Sequence, residues 1–171
     1  MKIYTMGHTT RSIEEFINIL RHYGVQIVVD VRTIPRSKHN PQYEGSVLEK
    51  SLEENGMSYI HIRELGGLRN PKKDSTNMEW RNTGLQGYAD HMGTEEFDRG
   101  LGMLKAIASD YSAVILCAEA VPLKCHRNLI ADALTVQGWE VGHIMTDKVS
   151  NTHKLTEFLK IVDGELTYPK Q

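Results

Sequence analysis

The chain alternates short apolar runs with stretches in which apolar residues return every three or four positions. Lys2-Ile-Tyr-Thr-Met6 is the first run and reads as a strand ending at Gly7-His8. Ser12-Ile-Glu-Glu15 follows as a capping box, the serine accepting a backbone N–H while Glu15 reaches back to the cap. Ile13, Phe16, Ile17, Leu20 and Tyr23 then recur at helical spacing until Gly24 stops them. Gln26-Ile-Val-Val-Asp-Val-Arg32 is a second strand, apolar enough to be buried on both faces. Ser46 to Asn55 forms a helix closed by Gly56, and Ser58-Tyr-Ile-His-Ile62 is a third strand. From Arg63 to Met92 no period emerges. Irregular segments of this length tend to be functional or disordered. Trp80, Tyr88 and several arginines and glycines favour an ordered functional loop at about 63–93, carrying short helices.

The second half returns to the alternation. Thr94-Glu-Glu-Phe97 starts a helix running to about Ser109, in which Gly100 and Gly102 cost roughly 1 kcal/mol each relative to alanine. Ala113 to Cys117 is a fourth strand, His126 to Gln137 a helix, and Glu140 to Ile144 a fifth strand. Thr152 is expected to cap a last short helix, His153 to Ile161, and Glu165 to Tyr168 to add an edge strand. Strands separated by helices imply right-handed crossovers. The expected fold is three-layer α/β, a mainly parallel sheet of about five strands with helices on both faces. At 171 residues it is expected to form one domain.

Composition changes this picture little. Apolar residues make up 40% and charged residues 25%, ordinary for a globular protein. A net charge of −2 argues against a chain that binds nucleic acid with its whole surface, so anion binding must come from a local patch. No signal peptide or membrane span is visible, which places the expected protein in the cytoplasm. There, two cysteines are free thiols, metal ligands or a reactive pair more often than a structural disulfide.

The unusual residues fall at expected strand ends, where α/β proteins bind ligands. The first strand leads into Gly7-His8-Thr9-Thr10-Arg11. The second ends in Asp30-Val31-Arg32, then Arg36, and the third leads into Glu64-Leu65-Gly66-Gly67. The fourth ends in Cys117-Ala118-Glu119, with Cys125-His126-Arg127 opening the next helix, and the fifth carries His143. Arg11, Arg32, Arg36, His126 and Arg127 suit a phosphate or carboxylate, since a guanidinium binds such groups bidentately and helix N-termini favour anions. The competing reading is a salt-bridge network with Asp30, Glu64, Asp90 and Glu119.

Cys125, at a helix start beside Arg127 and a protonated His126, is a candidate nucleophile, against the commoner role of a small buried residue or a ligand. Glu119 is a candidate acid or base, or a partner that orients an arginine. Asp30, inside an apolar strand, needs a partner, with Arg11, His8 or a neighbouring loop as the candidates, and is assigned an orienting role. His8 is a candidate proton carrier. Trp80 and Tyr88 either stack a base or pin the long loop, and the anchor reading is preferred. The distance from Cys125 to Arg127 is too short for the phosphate-cradling loop of cysteine phosphatases. Cys117 and Cys125, with seven residues between them, match neither zinc spacing nor Cys-x-x-Cys, although they could converge on a metal with His8 and His143.

Several of these segments together resemble one family. Gly7-His8-Thr9-Thr10-Arg11, Asp30-Val31-Arg32 with Pro35-Arg36-Ser37, Glu64-Leu65-Gly66-Gly67, Trp80-Arg81-Asn82, Gly87-Tyr88-Ala89-Asp90, and Cys117-Ala118-Glu119 with Cys125-His126-Arg127 are similar to the blocks of the domain of unknown function 488 family. The tail Asp163-Gly164-Glu165-Leu166 with Tyr168-Pro169 also resembles it. One departure is His91-Met92, where the family spacing places aromatic residues. The resemblance implies an α/β fold and supports the choice of site residues, but brings no settled activity.

The residues point to an enzyme, a hydrolase or transferase, acting on a phosphate-bearing substrate such as a nucleotide or nucleic acid. Two rivals use the same residues: a non-catalytic nucleotide or nucleic-acid binding module, and a Cys/His metal-binding or thiol-redox protein. No cofactor is identified, and a dinucleotide site is disfavoured because no G-x-G-x-x-G follows the first strand.

Overall fold

The computed structural model describes all 171 residues, Met1–Gln171. Six strands form one sheet: β1 (Lys2–Gly7), β2 (Ile27–Asp30), β3 (Ser58–His61), β4 (Ala113–Cys117), β5 (Glu140–Ile144) and β6 (Ser150–Thr152). Their order is β3-β2-β4-β1-β5-β6. The first five run parallel, and β6 pairs antiparallel with β5. Five helices connect them: α1 (Ile13–His22), α2 (Gly45–Glu54), α3 (Thr83–His91), α4 (Glu95–Asp110) and α5 (Arg127–Val136). The expected α/β architecture is present.

Side-chain alternation in the strands sorts these helices into two layers. Val114 and Leu116 of β4 join Phe16, Leu20, Leu48 and Leu52 of α1 and α2 in one core. Ala113, Ile115 and Cys117 point the other way, into a core with Leu85, Leu104, Leu129 and Leu134 of α3, α4 and α5. Cys117 therefore faces the layer that Cys125 enters as α5 begins. The Ser12 half of the capping box is present, its hydroxyl accepting from the Glu15 N–H at 3.1 Å. The Glu15 carboxylate lies 3.7 Å from Arg11.

The last expected helix is absent. Residues 150–152 pair with β5, and the His153 N–H continues that ladder to the Val141 carbonyl at 2.7 Å. An open strand edge offers these residues backbone partners that a short local helix cannot match, and Leu155 and Ile161 within the expected helix are exposed. Glu165–Thr167 (β8) pairs with Lys160–Val162 (β7) in a separate hairpin, not with the main sheet. Its turn, Asp163-Gly164, has φ of 50° and 81°, the left-handed pair that a two-residue hairpin requires. β2 also stops at Asp30, two residues short of Arg32, because the Asp30 carboxylate takes the Arg32 N–H at 3.0 Å.

The strand order locates the crevice. From β2 the chain moves outward through α2 to the edge strand β3. From β4 it leaves through α5, on the opposite face and in the opposite direction, to β5. Neighbouring strands whose exits diverge leave a gap beyond their carboxyl ends, the usual ligand position in open α/β sheets. No helix is long and apolar enough to cross a membrane.

Candidate active site

A cleft of about 420 Å³ opens at the divergence of β2 and β4. One wall is Arg32 to Arg36, the other Cys117 to Glu119 with Lys124, Cys125 and His126. The long loop closes the third side through Gly67, Asn82 and Leu85.

Cys117 and Cys125 are both free thiols, and their sulfurs lie 2.7 Å apart. Cys125 Sγ also receives the Arg127 backbone N–H at 3.5 Å and the Arg127 Nε–H at 3.4 Å, and stands 3.6 Å from His126 Nδ1. His126 Nε2 faces the Val31 carbonyl at 2.8 Å. A carbonyl only accepts, so Nε2 carries the hydrogen and the open Nδ1 is free to take the Cys125 proton. The Cys117 thiol, His126 and Arg127 hold Cys125 well below the ordinary thiol range in spite of its burial. Burial, and then the neighbouring Cys125 sulfur, push Cys117 well above it. The pair is therefore asymmetric: Cys125 gives up its proton more readily than Cys117.

Arg32 forms the opposite wall. Its Nε and Nη2 grip Asp30, the closest contact being 2.7 Å, and Asp30 also accepts from the Tyr59 hydroxyl at 2.6 Å. Burial and the Asp30 carboxylate keep the Tyr59 proton in place, so the phenol remains a donor. The His61 Nε2–H caps the Arg32 carbonyl at 2.7 Å. The side chain is 7% exposed, yet its Nη1 has no partner. A buried, unmet guanidinium donor calls for an explanation, and a ligand entering the cleft that Arg32 lines would supply one. Arg36 and Lys124 add exposed positive charge at the rim.

Several expected roles change here. Arg127 is 1% exposed and its donors are spent on Cys125, Thr5 and the Glu119 carbonyl. It holds the thiolate and the strand end, and does not clamp an external anion. Arg11 gives its guanidinium to the Gly7 and Met145 carbonyls and lies outside the cleft. Asp30 takes Arg32 as its partner, not Arg11 or His8, and fixes that guanidinium. Glu119 is exposed on the rim and accepts the Val121 N–H at 3.1 Å. His8 stacks on Tyr43, its rings 4.0 Å apart, and donates Nδ1–H to the Thr9 carbonyl; its buried Nε2 is unpartnered. Burial lowers its pKa to about 4. Glu64 packs by Gly100 and presents only its backbone carbonyl, to His91.

Trp80 packs on Phe158 and Tyr168, and Tyr88 is fully buried with its hydroxyl on the Leu65 carbonyl and its ring 5.0 Å from that of His126. Both are anchors. Asp90 completes the pinning by accepting from the Lys72 N–H, Ser75 Oγ and Asn77 Nδ2. The loop is thus a wall. Gly67 fits under His126: a Cβ there would stand 2.5 Å from Nδ1. No cluster of three or more His, Cys, Asp or Glu side chains is placed to hold a metal, so His8 and His143 do not join the cysteines in a metal site.

One feature has no sequence signature. Asp132 accepts from His153 Nε2 at 2.8 Å, His153 Nδ1 meets His143 Nε2 at 2.8 Å, and His143 Nδ1 meets Thr5 Oγ1 at 2.6 Å. Thr5 in turn accepts from Arg127 Nη1 at 3.2 Å. Because the carboxylate can only accept, every hydrogen points from Arg127 toward Asp132. This buried chain ties the arginine beneath Cys125 to the C-terminal segment, where the Tyr168 hydroxyl also donates to Asp132.

Residues 12–134 match the family described as Domain of unknown function DUF488. The chain belongs to this family. The stretch shared with DUF488 holds Arg32, both cysteines, His126 and Arg127. β1 with His8, and the His143–His153 end of the buried chain, lie outside it. No curated protein and no solved structure matches the chain.

Proposed function

We propose that this DUF488 protein is an enzyme that holds a phosphate-bearing small molecule, such as a nucleotide, on the free edge of Arg32 and attacks it with the Cys125 thiolate. The observation that carries this reading is that Arg32, whose buried Nη1 has no partner, and Cys125, whose neighbours favour loss of its proton, are side by side in the lining of one cleft. A cleft of about 420 Å³ suits a small ligand better than a nucleic-acid strand. Nδ1 of His126 takes the thiol proton and returns it to the departing group; the Val31 carbonyl keeps the ring turned for that exchange. Lys124 supplies the unpaired positive charge, since Asp30 already neutralises Arg32 and the Glu44 carboxylate lies 3.9 Å from Arg36.

Alkylation of Cys125 by iodoacetamide, followed by mass spectrometry at neutral pH, tests this directly. Pyrophosphate or a nucleoside diphosphate is expected to slow modification of the wild type. Arg32→Lys retains a charge for Asp30 but removes the second guanidinium edge. It is expected to weaken protection by about tenfold or more, the worth of one charge-assisted hydrogen bond. An alkylation rate indifferent to every phosphate ester would end the proposal.

A further inference from the structure

We propose that Cys117 and Cys125 are a redox couple, in which a hydroperoxide oxidises Cys125 and Cys117 resolves the product as a disulfide. This goes beyond the anion-binding reading and shares with it only the access to Cys125 from the cleft.

Sequence spacing argues against such a pair, and the fold explains why spacing misleads. Cys117 is the last residue of β4 and its side chain faces the α5 layer. The chain then turns outward through a 3-10 turn at Pro122–Lys124 and comes back, so that Cys125 arrives over the same face just before α5. Strand end and helix start thus achieve what Cys-x-x-Cys achieves within one turn. The sulfurs lie 2.7 Å apart, and a bond of ~2.05 Å requires only a small approach. Both cysteines line the cleft, so a small oxidant can reach them although each residue is buried.

The two environments suit the two halves of the reaction. The Arg127 N–H groups face the Cys125 sulfur, favouring attack by its thiolate on the peroxide. Sulfur bonds to the terminal oxygen, the O–O bond breaks, and the released alkoxide or hydroxide takes a proton, leaving Cys125 as a sulfenic acid. Cys117, which kept its proton, then attacks the Cys125 sulfur; the S–S bond forms and hydroxide leaves with that proton as water. In sum, two thiols and one hydroperoxide give one disulfide, one alcohol or water, and one water. A dithiol reductant returns two electrons and two protons and reopens the site. While the bond stands, the thiolate is gone.

The test uses the whole, fully reduced chain titrated with hydrogen peroxide, read by intact mass, thiol count and trapping with dimedone. The wild type is expected to lose both thiols and two hydrogens, to take up no dimedone, and to recover with dithiothreitol. Cys117→Ser, with Cys117→Ala as a second variant against a folding defect, is expected to hold a sulfenic acid that dimedone traps. Cys125→Ser is expected to keep its remaining thiol. Two thiols surviving in the wild type, or dimedone uptake equal to that of Cys117→Ser, would overturn the couple. Phosphate protection against alkylation is a separate readout: its failure beside a clean disulfide removes the anion reading and leaves this one intact.

Discussion

Acid is expected to weaken this protein well before its carboxylates titrate, because two histidines are buried in neutral form. Burial is the leading cause in both. It lowers His8 from 6.5 to about 4, and His143 likewise to about 4, with His153 and Arg127 adding to the second. Both are almost wholly buried, at 2% and 6% exposure. As pH falls below 6.5 the unfolded chain binds a proton at each site while the folded chain does not, so the free energy of unfolding falls. The loss reaches about 2 kcal/mol per histidine at pH 5 and about 3 kcal/mol each once pH passes 4. Together they remove about 4 kcal/mol at pH 5, a large share of the 5–15 kcal/mol typical of a domain. Urea unfolding at pH 7 and pH 5 measures this. His8→Gln and His143→Gln are each expected to halve the pH-dependent difference, and the double variant to remove most of it. Each variant is compared with itself at the two pH values, so its own destabilisation cancels. His91, which burial also lowers, leaves a small residual slope. A double variant that lost as much stability as the wild type between pH 7 and pH 5 would refute the argument.

Three further outcomes follow from contacts in and beneath the site. Asp132 accepts from His153, from the Thr156 N–H and hydroxyl, and from Tyr168. Asp132→Ala is expected to cost roughly 3–5 kcal/mol in denaturant unfolding, and Tyr168→Phe about 1.5–3 kcal/mol, the range of a hydrogen bond to a charged group. Gly67→Ala would drive a methyl against His126 Nδ1. It is expected to slow Cys125 alkylation at neutral pH with circular dichroism unchanged; an unaltered rate would free His126 from any part in activating the thiol.

How far this was legible in the sequence depends on what each inference needed. Strands β1 to β5 and helices α1, α2, α4 and α5 follow from local periodicity and stop residues such as Gly24, Gly56 and Gly138, and the structure reproduces them to within a few residues. The 153–161 helix failed because periodicity is local while a strand edge is not: Thr152 is paired to Gly142 across the sheet. Helix α3 was hidden in the long loop because its buried face includes Gly87, Asp90 and His91, residues that no apolar pattern registers. That Asp90 organises the loop could only be seen once Lys72, Ser75 and Asn77 were placed around it.

At the site the limit is of a different kind. Sequence shows which residue types gather at strand ends, and of these the structure brings Arg32, Arg36, Cys117, Glu119, Cys125 and His126 to one cleft. Sequence cannot show which of their donors are already used. Arg11, Arg32 and Arg127 look equivalent in the chain, yet Arg11 is occupied by two carbonyls and Arg127 by a thiolate, a hydroxyl and a carbonyl. Arg32 alone of the three buries an unmet edge on the cleft wall. The decisive quantity is therefore the unsatisfied remainder of each guanidinium, not the number of arginines. By the same accounting Cys117, whose spacing to Cys125 matches no motif, becomes the one group that can give Cys125 both a proton donor and a bond. A ligand that fits this site must satisfy Arg32 Nη1 without displacing Asp30, and it must approach a sulfur that already has a partner 2.7 Å away.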